Sequence, residues 1–188
     1  MSAHDILLKF AYSDATNADL RTFSVHQLSS TSPLQSEVLY KFYHPATGLA
    51  NGMTTFYRKN AITPVLETAG QIEWLSEYNA IVHFGLDQAP IRQLRRAKKP
   101  NSKSRRFKAC GCEYKWKRVG SGDDLYCVDA RGKAVANWSQ EKLHLRVATK
   151  AENILDRIVV TCLVNLWFLR LALDDVGIMY SIEGIDSE

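Results

Sequence analysis

Residues Ala151–Leu173 form the only long stretch of this chain that reads as a single helix, and the apolar residues leave it no polar side. Ile154, Ile158, Val159, Cys162, Leu163, Leu166, Trp167 and Leu171 together cover the whole circumference. A helix apolar all round must be buried, either in a protein core or in a bilayer. The charge-free part, Ile158–Leu169, rises only about 18 Å and still contains Thr161 and Asn165. A membrane span takes about 20 mainly apolar residues, and a charge near its centre costs roughly 3 kcal/mol. Asp156, Arg157 and Arg170 flank the segment too closely for that. The segment therefore predicts a core helix at about 150–173, N-capped by Thr149, with Leu163 and Trp167 at the centre of the molecule.

Something must surround such a helix, and the preceding chain offers strands. Short runs with strand character fall at Asp5–Ala11, Thr22–Gln27, Glu37–Tyr43, Met53–Arg58, Gln71–Leu75, Ala80–Phe84, Phe107–Arg118, Leu125–Asp129, Ala134–Trp138 and Lys142–Val147. Turn clusters separate them at Ser13–Asn17, Ser29–Ser36, His44–Gly52 and Gly120–Asp124. Such spacing is typical of an all-β barrel or sandwich. A chain of 188 residues can bury one real core, so a single domain over 1–188 is expected. A closed antiparallel barrel has no edges to protect, and its lumen accepts one helix. A last strand is expected over Val176–Ile182.

The hairpin Phe107–Asp129 is the sharpest local pattern. Alternation puts Cys110, Cys112, Tyr114 and Trp116 on an interior face. Ala109, Gly111, Glu113, Lys115 and Lys117 fall on the other, with both lysines reaching solvent. Gly120-Ser121-Gly122-Asp123 supplies the turn. Its glycines suit a tight turn rather than a phosphate cradle, because a strand follows where a cradle needs a helix.

Charge is segregated. The basic segment at 92–108 holds nine of the chain's 24 bases and no acid, leaving 15 bases against 20 acids elsewhere. Its second half, Lys98–Arg105, with Pro, Asn and Ser, reads as a mobile loop, and a solvated insertion between two strands that binds nothing is the plain alternative to a binding role. Arg92, Arg95, Arg96, Lys98, Lys99, Lys103, Arg105 and Arg106 are the candidate anion-binding residues. Anionic phospholipid fits best, at about 1 kcal/mol per base near the surface. Nucleic acid ranks second, since the loop lacks the aromatic platform on which single strands stack.

Other chemistry is thinly supported. Cys110-Gly111-Cys112 with Cys127 lacks zinc spacing, and no nearby pair completes four ligands, so no metal is expected. No cofactor motif is present, so no cofactor is expected. His4, His26, His44, His83 and His144 sit in unrelated contexts. Glu73, Glu113 and Asp156 are the available catalytic carboxylates, though nothing pairs them in sequence. Asp156 and Arg157 are better read as anchors of the buried helix at the barrel rim. The N-terminus carries no signal-like pattern, and the cysteines no disulfide framework. An intracellular protein, peripheral at membranes, is expected.

A resemblance covers the chain from Gln71 onward. Ile72-Glu73-Trp74, Arg106-Phe107, Gly111-Cys112-Glu113-Tyr114-Lys115-Trp116-Lys117, Leu125-Tyr126 and Ala134-Val135-Ala136 carry it, with Ile154-Leu155-Asp156 and Ile158-Val159-Val160-Thr161. In order and spacing these residues resemble a fungal family, the domain of unknown function 6593. Residues 1–70 match only loosely. That family looks like a distant relative of the Tubby C-terminal and phospholipid-scramblase-like fold. The resemblance implies a mainly β (α+β) chain: a closed antiparallel barrel of about twelve strands around a central apolar C-terminal helix. Some members of that superfamily bind phosphoinositides or act at membranes. The resemblance supplies no catalytic or ligand set to carry over, and the dense basic loop is this chain's own.

The expected function is non-enzymatic recognition of an anionic phospholipid surface through the basic loop. One alternative is an enzyme at the barrel mouth using Glu113, Tyr114 and a histidine. Another is a protein-interaction, structural or nucleic-acid-binding module. Oligomeric state is not legible.

Overall fold

A computed structural model describes residues 5–12, 19–29, 36–45, 51–99, 102–120 and 122–171. The expected strand at Val176–Ile182, the turn at Ser13–Asn17, most of Ser29–Ser36, and His4 lie outside the described residues.

The described chain is one antiparallel sheet of twelve strands bent round one helix. The strands are β1 (Ile6–Tyr12), β2 (Phe23–Leu28), β3 (Ser36–Tyr43), β4 (Gly52–Lys59), β5 (Leu66–Ser76), β6 (Asn79–Phe84) and β7 (Asp87–Pro90). After the short helix α1 (Ile91–Leu94) come β8 (Arg105–Ala109), β9 (Cys112–Arg118), β10 (Leu125–Asp129), β11 (Ala134–Ser139) and β12 (His144–Val147). A 3₁₀ turn (Thr149–Ile154) leads into α2 (Leu155–Arg170). The N-cap of that turn is Ala148, and Thr149, the expected cap, is its first residue.

The expected closed barrel is not what forms. The strand order runs β7-β6-β5-β4-β3-β2-β1-β12-β11-β10-β9-β8, so β7 and β8 are free edges, not partners. β7 is only four residues long and ends at Pro90, which has no N–H to donate. The chain then turns into α1, whose Ile91 and Leu94 are buried and fill the opening beside β8. Arg96 exchanges backbone hydrogen bonds with Arg106 at 3.0 and 2.8 Å, tying the crossover to β8. A plug of side chains thus stands where a barrel would have continuous pairing. The edge at β8 presents Arg106 and Lys108, and charge of this kind guards open edges against further pairing.

Inward residues of the sheet meet the helix. Ile158 to Asn165 are buried on every side of α2, as an all-round apolar helix requires. Its two polar members are satisfied. The Trp116 indole N–H donates to Thr161 Oγ1 at 2.9 Å, and that hydroxyl donates to the Arg157 carbonyl at 2.6 Å. Asn165 Nδ2 donates to the Thr161 carbonyl at 2.7 Å. Asp156 and Arg157 anchor the helix start, against Arg58 at 3.0 Å and Asp87 at 3.2 Å. Leu163 is central. Trp167 is not: it lies at the helix end, half-buried, 5.0 Å from Trp74 and donating to the Glu77 carbonyl at 2.8 Å.

An aromatic row crosses the N-terminal half of the sheet. Phe10, Phe23, Phe42 and Phe56 stack in turn, with ring centroids 5.1, 4.5 and 5.4 Å apart. Beside it Gly70 is irreplaceable, since a Cβ there would lie 2.1 Å from the His83 carbonyl and 2.3 Å from the Phe56 ring.

The run Phe107–Arg118 is two strands, not one. Cys110 (φ 46°) and Gly111 (φ 74°) make a two-residue hairpin turn that pairs Ala109 with Cys112. The turn resets the alternation. Ala109 is buried with Phe107 and Trp116, while Cys110 and Cys112 are exposed. Tyr114 is half-buried, stacked on Phe107 at 5.4 Å, and Lys115 and Lys117 take the outer face, half-buried.

Candidate anion-binding face

The eight basic candidates divide by task. Arg95 is half-buried, its guanidinium 4.1 Å above the Phe168 ring. Arg105 is half-buried too and donates to the Ser102 and Ser104 carbonyls. Arg96 and Arg106 converge on one carboxylate: Arg96 lies 2.9 Å from Glu113, and Arg106 pairs with the same group. These four tie the crossover to the sheet and the helix. Arg92, Lys98, Lys99 and Lys103 are exposed, and among the described residues they form no ion pair. The sequence treated all eight alike, because their partners Glu113 and Phe168 are remote along the chain.

The sheet adds bases that sequence reasoning left out of the candidate set. On β8 the outward side chains are Arg106 and Lys108. On β9 they are Glu113, Lys115 and Lys117, set beside them by the pairs Arg106↔Lys115 and Lys108↔Glu113. The alternating Lys115-Trp116-Lys117 pattern was the available signal. Partial burial pulls the Lys115 pKa down, and the charges of Lys117, Arg106 and Lys98 pull the same way against Glu113. The charge of Lys98 in the crossover therefore bears on Lys115 of β9. Lys117 also lies 5.2 Å from the Tyr126 ring centroid. Glu113 is the acid of this face. Burial pushes its pKa up, but hydrogen bonds and charge from Arg106 and Arg96 outweigh that and hold it below the usual carboxylate value.

At the border of this face, between the sheet edges, lies a cleft of roughly 410 Å³. Asp87, Gln88 and Ala89 line one wall, Arg106, Phe107 and Lys108 the other, with Arg157 also reaching in.

The catalytic candidates do not converge. Glu113 and Tyr114 are consecutive on β9 and so point to opposite faces of the sheet. Glu73 lies 3.7 Å from His83, both partly exposed. Asp156 is taken up by Arg58 and by the buried Tyr40 hydroxyl, which donates to it at 2.5 Å. His44 is buried, with Nδ1 2.9 Å from Thr54 Oγ1, which also accepts the Trp74 indole N–H at 2.8 Å. Burial pulls the His44 pKa down, and Arg21 adds to that. Among the described residues no group of three or more His, Cys, Asp or Glu is placed to hold a metal. No helix among them is long and apolar enough to cross a membrane.

Fold and face define a class: a mostly β protein whose single bent antiparallel sheet packs on a buried C-terminal helix and carries one basic outer face. The chain belongs to the Family of unknown function (DUF6593), whose family pattern it matches over residues 22–170. No curated protein and no solved structure matches it.

Proposed function

We propose that the chain is a peripheral binding module that docks on anionic phospholipid through this basic face. One observation carries the reading: the outward side chains of β8 and β9 include Lys108, Lys115 and Lys117, the charge of exposed Lys98 acts on Lys115, and Arg92, Lys99 and Lys103 are exposed in the chain leading into β8. The one acid among the outward side chains of β8 and β9 is already held by two arginines. A face of this kind gains about 1 kcal/mol per base against an anionic bilayer and attracts it over a Debye length. Twelve antiparallel strands against a buried apolar helix support a distant kinship with the Tubby C-terminal and scramblase-like proteins, within a fungal family, despite the open edges. A cytoplasmic protein that visits membranes reversibly fits this reading.

The test is vesicle co-sedimentation with phosphatidylcholine alone and with added phosphatidylserine or phosphoinositide. Binding should require the anionic lipid and fall steeply with salt. Replacing Lys98, Lys99, Lys115 and Lys117 by Gln should weaken it by several kcal/mol at low salt, at about 1 kcal/mol each. Arg96 and Arg106 are left alone because they hold the crossover in place. Equal binding to neutral vesicles, no binding at all, or tight binding to RNA or DNA in place of lipid would overturn the reading.

A further inference from the structure

Two of the four cysteines are set apart from the others. Cys127 and Cys162 are buried, and burial pushes both thiols well above their ordinary pKa. Cys110 and Cys112 are exposed, two residues apart at the tip of the β8–β9 hairpin. We propose that Cys110 and Cys112 form a dithiol site that exchanges with small-molecule disulfides, passing between two thiols and an internal disulfide across Gly111.

Backbone geometry favours the pair. Cys110 has φ 46°, a left-handed conformation that an L-residue with a Cβ adopts only at a cost of roughly 1–2 kcal/mol. The first position of such a turn is ordinarily Asn, Asp or Gly, so a cysteine there is a departure from the inexpensive choice. Gly111 at φ 74° folds the chain back on itself, with nothing within 4 Å of where its Cβ would stand. One left-handed residue brings its two neighbours about as close as a helical turn does, within the roughly 4–7 Å Cα separation that a disulfide spans.

The exchange balances without any further reactant. A thiolate of the pair attacks one sulfur of the small disulfide, forming a mixed disulfide and releasing one small thiol. The second thiolate attacks the protein sulfur of that mixed bond and releases the second small thiol. Two protein thiols are oxidised, one disulfide is reduced, and the protons leave with the two released thiols.

The test uses the intact chain, folded, in glutathione and glutathione disulfide mixtures, quenched by alkylation and read by mass spectrometry. The wild type should lose two hydrogens with no retained glutathione, and peptide mapping should place the bond at Cys110–Cys112. Cys110→Ser and Cys112→Ser should each stop at one glutathione adduct on the surviving thiol. The proposal is overturned if both thiols stay reduced when the disulfide form predominates. It is equally overturned if wild-type adducts accumulate without internal closure, or if the bond recruits Cys127 or a second chain. Vesicle binding plays no part in this readout, so its failure leaves the experiment intact.

Discussion

The middle of the sheet and its two edges solve the same problem by different means. Across β1 to β4 the interior is a row of stacked phenyl rings from Phe10 to Phe56, and every strand is paired on both sides. At the β7 and β8 edges the inward side chains include Ala89 and Ala109, pairing stops, and a four-residue helix and a knot of arginines fill the opening. The middle is held by apolar area, which is insensitive to pH. The edges are held partly by ion pairs near water, which are weak and screened. The middle carries the fold, and the edges carry the exposed charge.

Substitutions can break this contrast, and the ring row should give the largest effect. Phe42→Ala removes a ring stacked on both sides and should cost about 3–5 kcal/mol, read from the midpoint of urea unfolding. A loss under about 1 kcal/mol would mean that the row is not the stronger region. Leu163→Ala should fall in the range of about 2–5 kcal/mol, since the helix centre serves both regions. Thr161→Val leaves the Trp116 indole N–H buried without an acceptor and should cost about 1–3 kcal/mol, with a change in tryptophan fluorescence.

The arginine knot should respond more to pH than to denaturant. A carboxylate whose folded pKa is depressed adds stability above its unfolded pKa and loses it as pH falls through the folded value. Glu113 is such a group. The crossover should therefore loosen on the acid side of about pH 4, the unfolded value for Glu. Amide protection factors at Arg96 and Arg106 should fall there, while those around Phe42 stay high. Glu113→Gln should produce that loosening at neutral pH, with less than about 1 kcal/mol of global destabilisation. Smallest of all, neutralising Lys98, Lys99 and Lys103 together should leave unfolding within about 1 kcal/mol of wild type, because exposed charges away from partners contribute little.

Much of this contrast was legible in the sequence. Runs of strand character covered every strand but β7, whose Asp-Gln-Ala-Pro is too short, too polar and too proline-bound to show it, and merged β8 and β9 into one. The long strand through Phe107 hid a hairpin, since Cys-Gly is not among the dipeptides that announce a two-residue turn. Closure was illegible for a deeper reason. Whether β7 meets β8 depends on what the crossover does in space, and no local pattern encodes that. The same holds for the basic face. Its residues were all visible, but which arginines serve the fold depends on Glu113 and Phe168, met only after folding.

The strand order has one more consequence, for how the chain assembles. Except for β1 with β12, every strand is paired only with strands adjacent to it in the sequence. The sheet is thus two consecutive meanders, β1–β7 and β8–β12, sewn by a single distant seam from Ile6↔Val147 to Lys9↔His144. Each meander can form by local zipping, with little loop entropy to overcome. The slow event is their joining, when β1 finds β12 and α2 is enclosed. A polypeptide cut in the crossover after Lys99 would keep every strand pairing, dividing into two pieces that recognise each other through one strand pair, the Arg96–Arg106 tie and a shared helix.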